Sequence, residues 1–216
     1  MSSSAHSESN GGLSKHRLEA LCDGIFAFAM TLLVLDMKMP KLPESSLGPG
    51  VLTHLLLNLW PKFLGYVTSF LVLSVFWIGH HGYSHFVKKT DRWFLWINLL
   101  FLMMVVLVPF STDFLGDYPA HFEAVVFYGL NIMALGLTLY WQWHYATSRH
   151  RLVGTHLEPE LARRGKQRIL RGVLTYACAV ATAWLNPTIS MILYALIPVS
   201  YILPGHLDHH WTHSHD

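Results

Sequence analysis

The sequence predicts an all-α, polytopic membrane protein with six transmembrane helices per chain. Two features of composition point there: 52% of residues are apolar with a mean hydropathy of +0.35, and only 13% are charged, against about 25% in an average soluble domain. A third observation is the placement of charge, which is confined largely to short turns between apolar runs and is basic at every second turn.

Residues 1–14 are Ser-, Gly-, Asn- and Glu-rich and read as a disordered N-terminal tail without a signal-peptide core. The first apolar run follows Arg17 and ends at Asp36, where a Pro- and Gly-rich stretch to Gly50 stops the helix. Val51 to Trp60 is a short apolar piece leading into a second span from about Pro61 to His81. The segment 82–93 carries Lys88, Lys89, Asp91 and Arg92 as a basic turn. A third span covers roughly Trp93 to Phe110, and the acidic stretch with Asp113 and Asp117 is expected to form the turn after it. The fourth span runs from about Phe122 to Trp143. The loop to Arg171 is the most basic in the chain, and Pro159 and Gly165 are expected to break it. Two short spans, about Leu170 to Trp184 and Thr188 to Leu203, are joined by Asn186-Pro187. The membrane domain thus comprises residues 15–204, and 205–216 form a His-rich C-terminal tail. Six spans put both termini on one side, and the positive-inside rule makes that side cytoplasmic, within a cell membrane.

Several function classes drop out. A net charge of +2 is too close to neutral to favour nucleic acid. No Gly-x-Ser-x-Gly or His-Glu-x-x-His occurs, and no carboxylates pair within a span, so an enzyme is not expected. No cofactor or specific metal site is expected either: the tail histidines fit adventitious binding, and His80-His81 are adjacent and point apart on a helix. Cys22 and Cys178 fall within spans and read as small packing residues.

The first span organises the chain. Gly24 to Leu35 carries no charge, whereas Asp23 lies within the apolar run and would cost about 2.5 kcal/mol or more if ionised against lipid. At 100° per residue, Phe28, Leu32 and Leu35 share a stripe with Thr31 beside it, and Asp23 falls on the opposite side, expected to face other helices or water and to be packed into protein if the stripe lines a pore. The stripe fits two roles: a helix-packing face, or an apolar constriction roughly 10 Å long through which ions pass with loss of hydration. Arg17 is poorly placed to pair with Asp23 and can snorkel to the interface. His80, His81 and Asn98 are the polar groups at similar depth, and His80 or His81 is the expected partner of Asp23. Asp36, at the other end of the helix, is either a cation-concentrating ring or an ordinary helix-end carboxylate.

Arg17, three residues, then Leu21-Cys22-Asp23 resembles the first-helix signature of the transmembrane protein 175 family, endosomal and lysosomal potassium channels with single-repeat bacterial relatives. Leu21 and Cys22 depart from the family's Phe and Ser. The run Phe76-Trp77-Ile78-Gly79-His80-His81 and the run Trp96-Ile97-Asn98 leading to Pro109-Phe110 are similar to the family's second and third helices. The resemblance implies a homotetramer in a lipid bilayer whose first helices form a pore for monovalent cations, with K⁺ as the permeant ion. It also implies that Phe28 is the narrowest point, a hydrophobic gate with Leu32 and Leu35 above it, and that Thr31 matches a hydroxyl position tied to selectivity. Phe28 departs from the family's Ile or Leu, and four phenyl rings fill a pore more fully. The carbonyl filter motif Thr-Val-Gly-Tyr-Gly is absent from the sequence. A proton-coupled secondary transporter using Asp23 and His80/His81 is the alternative, against which the spans show no internal repeat.

Overall fold

The computed structural model describes residues 15–35, 37–38, 43, 48–154 and 157–202. The N-terminal tail, Asp36 and the His-rich segment lie outside the described residues. Seven α-helices follow in order: α1 Lys15–Leu35, α2 Val51–Asn58, α3 Trp60–Phe86, α4 Arg92–Asp117, α5 Phe122–Thr147, α6 Pro159–Thr182 and α7 Pro187–Ile202.

Helix starts follow local chemistry. Asp91 caps α4, its carboxyl accepting from the Phe94 amide at 2.8 Å, which satisfies one of the otherwise unpaired first-turn N–H groups. Pro61 and Pro159 occupy first-turn positions of α3 and α6, where a missing N–H costs nothing. The α6–α7 turn closes as expected: Pro187 opens α7, and the Thr188 amide donates to the Asn186 side chain at 2.8 Å.

Side-chain contacts between distant segments fix an alternating, up-and-down course. Early α1 meets late α3 and early α4 through Cys22, His80 and Asn98. Late α5 meets early α6, where the Trp143 indole donates to the Ala162 carbonyl at 3.2 Å. Early α6 meets late α7, where Tyr201 donates to the Arg168 carbonyl at 3.4 Å. One end of the bundle therefore gathers the basic turns, tied together where the Lys88 amide donates to the Leu152 carbonyl at 2.8 Å. α4 and α5 form the centre of the packing, with α1 and α3 against α4, and α6 against α5.

Exposed aromatics ring both ends: Trp93, Trp96 and Trp141 at the basic end, Trp60, Tyr118 and Trp184 at the other. Along α4, Trp96 and Tyr118 are roughly 33 Å apart at 1.5 Å per residue, close to the thickness of a hydrocarbon core. Four helices, α1, α3, α4 and α5, are long and apolar enough to cross a membrane. The six-span expectation exceeds that count because α6 is basic through its first half and α7 has 16 residues.

Three boundaries differ from expectation. α4 does not stop at Phe110 but runs through the acidic stretch to Asp117. Lys62 of α3 reaches across to Asp113 and Asp117, which neutralises the helix end, and the Ser111 and Thr112 hydroxyls fold back on the Val108 carbonyl. Pro159 starts α6 and does not break a loop. Gly165 sits inside that helix because it is the contact point with Trp143: a Cβ there would lie 2.7 Å from the indole nitrogen.

Candidate functional site

α1 has two distinct sides. Leu18, Cys22, Phe26, Ala29 and Leu33 are buried against the bundle. Across the helix, Arg17, Leu21, Gly24, Phe28, Thr31 and Leu35 are exposed, with Phe28 at 59% and Leu35 at 65%, and Leu32 is half-buried at the edge. Both sides are apolar, but the buried one meets partners that fit it: Phe26 packs on Phe101 with centroids 5.8 Å apart, and Cys22 accepts from Asn98. Thr31 donates to the Phe28 carbonyl at 2.7 Å, so its hydroxyl proton is engaged while its oxygen lone pairs remain outward.

Behind the exposed stripe, four helices converge on a buried polar cluster. Asn98 of α4 is its hub, fully buried. Its amide nitrogen donates to Cys22 Sγ at 3.3 Å. Its Oδ1 lies 3.2 Å from His80 Nε2 and accepts from Gln142 Nε2 at 2.7 Å. Cys22 Sγ is 3.9 Å from His80 Nε2, and the His80 ring stacks on Phe101 with centroids 5.2 Å apart. A cavity of about 30 Å³ adjoins the cluster, lined in part by His80, Asn98 and Gln142. The Gln142 carbonyl oxygen is buried without a partner. Such a cluster fixes the rotation of α1 about its axis, because turning the helix would strand several buried polar groups at once.

Asp23 departs from expectation on two counts. It is exposed rather than packed into protein, and neither His80 nor His81 is bonded to it. The Trp77 indole donates to Asp23 Oδ1 at 2.8 Å, and His81 stacks on Trp77 with centroids 5.9 Å apart. The reason is helical phase: His81, one turn after Trp77 on the same α3 flank, lines an open cleft of about 330 Å³, which Asp23, Glu19 and His16 line from α1. His80 points the other way, into the core. Arg17 is exposed, and among the described residues it forms no ion pair.

The family model for the endosomal/lysosomal potassium channel TMEM175 matches residues 17–109. A potassium channel of Streptomyces collinus is 35% identical over 190 residues, covering 86% of this chain and 90% of that protein. The chain belongs to the TMEM175 family. A crystal structure of a TMEM175 homologue from Chamaesiphon minutus superposes with a TM-score of 0.75 at 31% identity, over 88% of this chain and 96% of that one. The human TMEM175 protein, named an endosomal/lysosomal proton channel, is 34% identical over 103 residues, 46% of this chain but 20% of its own length. Bacterial TMEM175 members match nearly end to end, so this chain is of their single-repeat type.

The TMEM175 match runs from α1 to Pro109 in α4 and therefore takes in Cys22, Asp23, Trp77, His80 and Asn98. Gln142 lies beyond it. Two participants escaped the sequence reading. Trp77 stands four residues before His81 and so shares its helix face, which is the signal that could have found it. Gln142, between Trp141 and Trp143, reads as an interfacial residue, and only the fold turns it inward.

Proposed function

We propose that this chain is a potassium-permeable cation channel, and that four copies place α1 around a common axis. Phe28, Leu32 and Leu35 then line a hydrophobic constriction, Thr31 offers hydroxyl oxygens beside it, and Asp36 stands at the outer mouth. α6 and α7 complete six spans, the second of these shortened, and the basic end faces the cytoplasm of a cell membrane with both termini. K⁺ passes as the permeant ion without a carbonyl filter, a cofactor or a catalytic step. An apolar ring of this kind conducts when it is wide enough to stay wetted and blocks when it is not.

The observation that carries this reading is the two-sidedness of α1. The helix buries Cys22 and Ala29 against its own bundle and leaves Phe28 and Leu35 uncovered, in a chain whose bacterial relatives are named potassium channels. Of the relatives and structures named above, each is described as a channel, and the transporter alternative with Asp23 and His80/His81 draws no support from them.

The test is current through the purified chain in planar bilayers under opposed K⁺ and Na⁺ gradients, with Phe28→Ala alongside. A reversal potential favouring K⁺ and a larger conductance for Phe28→Ala are expected. Absence of current from both, with ion uptake that follows an imposed proton gradient, refutes the channel reading.

A further inference from the structure

Among the described residues, α6 is the long helix whose two ends have opposite character. Up to Arg171 it carries Arg163, Arg164, Lys166, Arg168 and Arg171, and the remainder is apolar with Leu174 exposed. Arg164, Arg168 and Arg171 stand at i, i+4 and i+7 and fall within an arc of about 60° on an ideal helix. All three are exposed.

Their partners within the protein differ. Glu160 bonds both Arg163 and Arg164, at 3.1 and 3.0 Å. Arg168 lies 5.9 Å over the Tyr201 ring, and Arg171 Nε donates to the Gln167 carbonyl at 3.4 Å. Among the described residues neither Arg168 nor Arg171 has a carboxylate partner.

Depth along the helix gives this pattern its meaning. Trp184, 79% exposed, marks the aromatic ring at the far end. Counting back along α6, Arg171 lies only about 20 Å from Trp184 and Arg168 about 24 Å, at 1.5 Å per residue. A hydrocarbon core is about 30 Å thick. Both guanidinium groups are therefore drawn to the level where acyl chains meet headgroups, reaching outward along their stems. At that level the available counter-charge is lipid phosphate, which a basic side chain attracts chiefly by its charge. Leu174, exposed about 60° around the helix from Arg171, and Leu170 one turn before Leu174 offer the apolar surface an acyl chain needs.

We infer that Arg168 and Arg171, flanked by Arg164, Leu170 and Leu174, form a binding surface for an anionic phospholipid of the leaflet at the basic end. A zwitterionic headgroup brings its own cation and competes poorly for two arginines that lack carboxylates. The surface connects to the polar cluster behind α1: α6 docks through Gly165 and Ala162 onto Trp143, which stacks on Tyr83 with centroids 4.7 Å apart beside the cavity lined by His80 and Gln142. The inference rests on the membrane placement of α6 and not on ion conduction, so a chain that binds lipid but passes no current separates the two.

The experiment is an equilibrium titration of the detergent-solubilised full chain with fluorescent phosphatidylglycerol, competed by unlabelled phosphatidylglycerol, phosphatidylcholine and inorganic phosphate. Phosphatidylglycerol should displace the probe about tenfold more effectively than phosphatidylcholine, and phosphate should not displace it. Arg168→Gln with Arg171→Gln should weaken binding on the order of thirtyfold. Arg168→Lys with Arg171→Lys should retain most of it, which guards against a folding artefact. Lys88→Gln with Lys89→Gln, removing equal charge from another turn at the same end, should change it little. Equal competition by phosphatidylcholine or by phosphate, an unaltered affinity in the Gln pair, loss in the Lys pair, or an equal loss in the Lys88/Lys89 control overturns the inference.

Discussion

The Trp77 indole donates to Asp23 at 2.8 Å and joins α3 to α1 at the mouth of an open cleft. This is the one polar link between those helices on the exposed side of α1 among the described residues; Cys22 and His80 make their contact on the buried side.

That link should be measurable as a pairwise energy. Trp77→Phe keeps an aromatic ring and deletes the donor, and Asp23→Ala deletes the acceptor. A double-mutant cycle read from thermal midpoints in detergent should return a coupling of about 1 kcal/mol, the low end for a charge-assisted bond because the site is wet. Strictly additive losses would mean that the contact contributes nothing to stability.

The Asn98 cluster predicts an asymmetry. Asn98→Leu strands the Gln142 amide and the His80 ring nitrogen in a buried setting, at about 2 kcal/mol or more. Gln142→Leu removes one bond but also removes a carbonyl oxygen that is already buried without a partner, so its cost should stay within about 1 kcal/mol. Unfolding midpoints of the two variants check the order; a Gln142→Leu loss matching that of Asn98→Leu would place the hub elsewhere.

Much of the bundle was legible because membrane helices must satisfy their backbone internally, which makes apolar runs and their turns visible in sequence. The Asn186-Pro187 turn followed from proline chemistry, and helical phase put Phe28 and Leu35 on one stripe of α1 without deciding whether the bundle covers it. What escaped depends on partners distant in sequence. The extension of α4 to Asp117 needs Lys62, and Asp23 finds Trp77, not His80, because α3 presents Trp77 and His81 on one flank and His80 on another. Gln142 shares the helical repeat of Leu135, Leu139 and Ala146, but its polar side chain interrupts the apolar pattern that would mark it as buried. The sequence places the start of α6 within the basic flank but not as early as Pro159, because charge there masks the helical pattern.

Lys62 sets the far end of α4. It bridges Asp113 at 3.6 Å and Asp117, two acids one helical turn apart that repel each other when the cation is absent. Lys62→Met should loosen the last turn of α4, seen as faster amide hydrogen exchange over residues 113–117 with little change near Asn98. Adding Asp117→Asn removes the repulsion and should restore much of the protection. Exchange that is fast already in the unmodified chain would show that the ion pairs do not hold this turn.

Gly165 tests whether α6 is anchored through its glycine. Alanine is the better helix former by about 1 kcal/mol, so on propensity alone Gly165→Ala should stabilise. Yet its methyl would sit 2.7 Å from Trp143 Nε1 and 3.4 Å from the Tyr83 ring, and Trp143 is buried and held by its bond to the Ala162 carbonyl. The indole is fixed by that bond and by stacking on Tyr83, so overpacking of about 1–3 kcal/mol should outweigh the propensity gain. The expected result is a lower thermal midpoint and a red shift of tryptophan emission as the indole loses its buried setting. A raised midpoint would mean that α6 shifts as a unit at little cost, and that its contact with Trp143 does not fix its position.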